Sequence, residues 1–180
     1  VVDLFVRTKG SYSLTPGSGV LRQLPTFAWR LSQQGYRVCT IGVPGTYPPE
    51  PLNGICVAGF DSPSPNRAGP EAVSPPEAFS TLQAAGGWGY NVFNEHQAST
   101  NFLRGAVDCI LSDLAEKEKA ILNLFTKEPW DLFMVHLQAS DTVAHHFWHW
   151  HDLGSPRRPD TVPMDAISLV YQRLDVLVGK

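Results

Sequence analysis

The chain has 180 residues, 43% of them hydrophobic and 17% charged, with a formal net charge of −3. That length suits one domain or a large piece of one, with enough apolar residues for a substantial core. A slightly acidic chain has no general attraction for nucleic acid or anionic membrane, so any phosphate recognition must come from a local site. No apolar run approaches the roughly 18–20 residues of a membrane span.

Residues 2–6 are expected to form a strand remnant or an extended entry, and residues 10–18 are turn-rich. Pro25 is placed as the first residue of a helix, with Gly35 just past its end, the usual asymmetry of helix termini. Leu24, Phe27, Ala28 and Leu31 supply its apolar stripe. A strand follows over 36–43, carrying Val38, Ile41 and Val43. Helix, glycine turn, strand is half of a βαβ unit and favours an α/β sheet.

Nine of the 15 prolines fall between Pro44 and Pro76. Proline fixes φ and removes a donor, so this region is extended loop or turn apart from one strand-like run, 54–60. The aromatics Tyr47, Phe79, Trp88, Tyr90 and Phe93 argue against a disordered linker. An ordered excursion over about 44–100, near or over an active site, is expected instead. A short helix over 77–84 precedes the Gly86-Gly87 break.

Residues 101–127 show the clearest helical period, through Leu103, Val107, Ile110, Leu114, Ile121 and Phe125. Asp113, Glu116 and Lys117 are assigned to its solvated face. Pro129 stops this helix. Leu132 to Leu137 then has the length and composition of a buried strand. A polar loop over 154–163 leads to a last amphipathic helix carrying Ile167, Val170, Tyr171, Leu174 and Val178, closed by Gly179. Both chain ends are expected to be cuts within a longer domain. Cys39, Cys56 and Cys109 form no Cys-x-x-Cys pair, and each is expected to be a buried free thiol. Such thiols favour a reducing, cytoplasmic setting.

Five of the six histidines lie between Trp130 and Asp152. The strand breaks at 138–141 and resumes as a helix rich in histidine and tryptophan. Strand C-termini in α/β sheets face the ligand crevice. If the helix begins at or just after Asp141, then Asp141, His145 and His149 share roughly one face, and Asp141 with His145 can reach one cation from the same side. A carboxylate with an imidazole suits zinc, manganese or iron better than calcium. His146 and His149 are candidates for supporting the ligands from behind, as hydrogen-bond acceptors or packing groups. His136 is assigned a structural place in the strand and His96 a place on the surface. A single-zinc site on His145 and His149 would need glutamate after the first histidine, where His146 stands.

Three stretches carry a resemblance. Pro-Gly-Thr-Tyr-Pro-Pro-Glu-Pro-Leu-Asn-Gly (44–54), Ala-Gly-Phe-Asp-Ser-Pro-Ser (58–64) and the run from Trp130 through Asp141 and His145 to Trp148 are similar to the type I phosphodiesterase and nucleotide pyrophosphatase family of the alkaline phosphatase superfamily. Residues 29–35 and 171–179 resemble its flanking helices. The resemblance implies a mostly parallel, helix-flanked α/β sheet, incomplete here, with residues 1–180 as a partial catalytic domain. It implies two divalent metals about 4 Å apart on the phosphoryl group and a threonine or serine nucleophile. Asp141 and His145 would ligate one of those metals. The nucleophile and the remaining ligands, including an Asp-His-Gly motif, match nothing in 1–180. Thr46 is not in a nucleophile position, so no catalytic residue is assigned within the chain and no substrate-binding residue can be named.

Two ligands are fewer than the three or four of a zinc site. The piece alone is therefore expected to bind metal weakly and to be inactive, while the intact protein would hydrolyse a small-molecule phosphoester. A phosphomutase is the alternative within the superfamily. The alternative of a different class is a non-catalytic binding domain, or a catalytically dead relative, using the aromatic–histidine segment as its contact surface.

Overall fold

The computed structural model describes residues 5–7, 9–59, 67–90 and 100–180. The expected positions of His96 and Phe93, and most of the 58–64 stretch, lie outside them. The chain divides into two compact units, residues 1–90 with 119–136, and residues 91–118 with 137–180.

The first unit holds an α/β sheet. Strands β1 (Phe5–Arg7) and β2 (Leu14–Pro16) form a separate antiparallel pair. Helix α1 (Phe27–Gln33) follows, then β3 (Val38–Val43) and β4 (Gly54–Ala58). Next come β5 (Val73–Ser74) and helix α2 (Ala78–Ala84). Helix α3 (Thr100–Lys127) precedes β6 (Leu132–Val135). The four-stranded sheet has the order β5-β4-β3-β6. β3 pairs in parallel with β4 and with β6, and β5 is antiparallel to β4. The sheet is thus mixed, and its three parallel strands end at one edge.

The helix–turn–strand unit is present, with two differences. Thr26, not Pro25, caps α1, its hydroxyl accepting from the Trp29 amide at 3.0 Å. Proline therefore stands one residue ahead of the cap, where its missing N–H costs nothing. The buried face is Ala28 with Ser32, while Leu24 and Phe27 are exposed. A seven-residue helix buries only two positions deeply, and the flanking apolar residues of the stripe fall outside that arc. Gly35, at φ 91°, makes the turn into β3.

Gly42 shows why one position in β3 tolerates no side chain. Its φ is +72°, and a Cβ there would stand 2.8 Å from the Trp88 ring and 3.0 Å from the His136 carbonyl oxygen. The register with β4 slips at the same place, between Ile41 and Val43. The kink seats Trp88, which is 2% exposed. The proline-rich excursion is ordered over its described residues: Tyr90 donates to the Ala58 carbonyl at 2.7 Å, and Thr46 donates to Val43 O and accepts from the Gly59 amide. The Thr46 hydroxyl is thereby taken up by the backbone.

β6 is half-buried along its length rather than fully buried. It pairs only with β3 among the described strands, so its outer edge lacks the cover that a central strand receives. Arg37 marks its start, accepting the Asp131 and Leu132 amides on its carbonyl and laying its guanidinium over the Trp130 ring. His136 continues the ladder by donating its amide to Ile41 O at 2.9 Å.

The second unit is helical. Helices α4 (Ala139–His151) and α5 (Ala166–Val178) pack around Val107, Ile110 and Leu114 of α3, with Val143, Phe147, Trp150, Ile167 and Val170 in the core. The charged face expected on α3 is not solvated. Lys117 is 5% exposed, and its ammonium pairs with Asp113 at 2.6 Å. Glu116 is half-buried. Next to it, the buried Glu118 carboxylate accepts from Lys180 and Arg173, whose hydrogen bonds hold it below the usual carboxylate range. Buried charges survive only when paired, and here each has its partner.

Phe125, at the far end of α3, is 54% exposed although its ring meets Phe133 edge-on at 5.1 Å. In α5, Tyr171 and Val178 lie outward and Leu177 takes the buried place. Gly179 keeps a right-handed φ of −76°, so the helix ends without a left-handed glycine cap. Cys39 and Cys56 are buried free thiols, whereas Cys109 is exposed because it sits two residues along α3 from the buried Val107, on the outer face.

A candidate metal-binding pair on helix α4

The phase of α4 follows from its apolar residues. Ala139, Val143, Phe147 and Trp150 recur at spacings of four, four and three, and all are buried. Phe147 and Trp150 meet edge-on, with ring centroids 4.9 Å apart. Fixing that stripe inward turns Asp141, His145 and Trp148 outward.

The helix starts two residues earlier than the sequence suggested. Gln138 is its cap, and the Thr142 amide donates to the Gln138 carbonyl at 2.9 Å. Asp141 is therefore inside the first turn rather than on a loop, where the helix dipole favours its negative charge. The one-turn spacing to His145 survives this shift. His145 Nε2 stands 3.4 Å from Asp141 Oδ1, with side chains 72% and 55% exposed. The other carboxylate oxygen, Oδ2, accepts from Gln138 Nε2 at 2.6 Å.

The donor set can be tested for fit against a cation. A zinc ion about 2.1 Å from an imidazole nitrogen and a carboxylate oxygen, at a tetrahedral angle, holds those donors about 3.4 Å apart. The observed separation matches, and both groups face solvent, so an ion can reach them. Among the described residues, no group of three or more His, Cys, Asp or Glu side chains is gathered for a metal. The pair is two ligands and needs others to make a tight site.

The remaining histidines have other surroundings. His149 is half-buried against the Trp150 ring, at 5.9 Å, and burial followed by the nearby Arg157 charge holds its pKa below the usual imidazole value. His146 is half-buried. His151 Nδ1 lies 3.3 Å from Asp165 Oδ1, and its ring is 5.7 Å from that of Trp148. Asp165 caps α5 through the Ser168 amide and hydroxyl, and those bonds, with His151, hold its carboxyl below the usual range.

Two of these roles were readable but unread. Gln138 and Asp141 are an i,i+3 amide–carboxylate pair of a kind that supports helices. Asp165, just before an apolar run, is a plain helix-start signal.

Neither a family model, nor a curated protein, nor a solved structure matches the chain.

Proposed function

We propose that the chain is the central part of a metal-dependent phosphoester hydrolase of the phosphodiesterase and nucleotide pyrophosphatase type, with a sheet of alkaline-phosphatase kind. The observation that carries this is the 3.4 Å approach of His145 Nε2 to Asp141 Oδ1 on the exposed face of α4. Support also comes from the parallel run of β3, β4 and β6, and from the order in which the proline-rich stretch and the Asp-x-x-x-His element follow one another.

In this reading Asp141 and His145 hold one divalent ion, zinc or else manganese or iron, of a two-ion site. The ions, when bound, offset the charge that develops on the phosphoryl oxygens. Asp141 would supply a carboxylate oxygen and His145 a ring nitrogen, the donor pair that suits zinc, manganese or iron. In this reading the nucleophile and the other ligands are supplied by parts of the protein beyond residues 1–180. The substrate is a small phosphoester.

The test uses the natural-length protein and a chromogenic phosphodiester such as bis(p-nitrophenyl) phosphate. Asp141→Asn and His145→Ala should each lower hydrolysis by several orders of magnitude while leaving the fold intact. Wild-type rates in either variant would refute the assignment.

A second reading rests on a different observation. Trp148 is 54% exposed beside His151, as expected if α4 serves a binding domain as its contact surface. A folded natural-length protein that carries no metal would favour that reading.

A further inference from the structure

Gln138 occupies the cap position of α4, yet its side chain makes no capping hydrogen bond. Serine, threonine, aspartate and asparagine are the residues that cap well, and glutamine is not among them. The Gln138 amide is instead committed to Asp141 Oδ2 at 2.6 Å. Asp141 Oδ1 is then the oxygen turned toward His145 Nε2. The two carboxylate oxygens are thus unequal before any ligand arrives.

We propose that Gln138 is a positioning residue for the metal pair, holding Asp141 so that it offers Oδ1 alone, beside His145, as a one-oxygen ligand. This rests on the hydrolase reading of that pair. An unrestrained carboxylate can rotate about χ2 and can bind a cation through one oxygen or both. An amide donor on Oδ2 stops that rotation, reduces the ordering needed on binding, and disfavours the two-oxygen mode. Outer partners of this kind orient ligands, and their loss typically weakens metal binding about 10- to 100-fold.

The test is a cobalt(II) titration of the natural-length protein, followed by the visible absorption of the bound ion. Gln138→Met removes the donor at nearly constant volume. Gln138→Ser removes its reach to Asp141 but keeps a polar side chain at the start of the helix, so it separates reach to Asp141 from polarity at that position. Both variants should bind cobalt about 10- to 100-fold more weakly, with unchanged far-ultraviolet circular dichroism. Their visible absorption should fall in intensity, because the freed carboxylate raises the coordination number. Wild-type affinity and spectrum in Gln138→Ser would overturn the positioning role. So would a cobalt affinity that Gln138→Met lowers and Gln138→Ser restores, since the serine hydroxyl cannot reach Asp141 Oδ2. If Gln138→Ser behaves like wild type while Asp141→Asn loses the ion, the pair still stands and only the role of Gln138 falls. If the wild type binds no cobalt, the hydrolase reading falls and the positioning role with it.

Discussion

Replacing Phe147 with alanine tests the helix phase that turns Asp141 and His145 outward. The side chain is 1% exposed, and its ring packs edge-on to Trp150 at 4.9 Å. Returning it to water forfeits about 2–3 kcal/mol of burial, and losing the aromatic pair adds about 0.5–1.5 kcal/mol. The sum agrees with the roughly 3–5 kcal/mol seen for Phe→Ala in packed cores. His145→Ala removes an exposed partner of an exposed carboxylate and should cost no more than about 1 kcal/mol. Urea unfolding followed by circular dichroism reads both. With a slope of about 2 kcal/mol per molar, Phe147→Ala should lower the midpoint by about 1.5–2.5 M and His145→Ala by less than about 0.5 M. Equal losses, or a larger loss at His145, would mean that α4 is rotated and the Asp141–His145 pair does not face solvent.

Two further outcomes follow from the packing and the charges. Asp165 has its carboxyl pKa depressed from about 3.8 by Ser168 and His151, so its contribution to stability is fully present above that value and is lost as pH falls through the lower folded value. Asp165→Ala should therefore cost about 1 kcal/mol near neutrality, and the difference from wild type should shrink as pH falls below about 3.8; a difference that grows on acidification would contradict the cap. Cys39 is pushed up to about 12 by burial and by nearby Cys56, and burial also raises Cys56, whereas Cys109 is exposed. A thiol reagent at pH 8 should modify Cys109 in the folded protein and the other two only after unfolding, as peptide mapping would show; rapid reaction at Cys39 would refute the placement.

Much of the framework was legible because its signals are local. The glycine turn at Gly35, the apolar run of β3 and the long period of α3 each follow from a few neighbouring residues. The Asp141–His145 pair was legible because four residues make about one helical turn, and that survives an error of two residues in where the helix begins. What failed depends on distant partners. Lys117 reads as solvated because its charge gives no sign of burial, although its mate Asp113 is only one helical turn away, and nothing near Glu118 announces Arg173 and Lys180 as donors 55 and 62 residues along the chain. β6 reads as a buried strand, yet its depth depends on which strands lie beside it. Gly42 and Trp88 lie far apart in sequence, and only the folded sheet shows why the first admits no side chain.

The most direct test of the proposed metal role of Asp141 and His145 is the metal content of the natural-length protein, purified without chelator and measured by elemental analysis. Two divalent ions per chain are expected, zinc foremost, with one lost in Asp141→Asn and in His145→Ala. A folded wild-type protein free of zinc, manganese and iron, or variants that keep the full complement, would contradict the assignment of Asp141 and His145 as ligands.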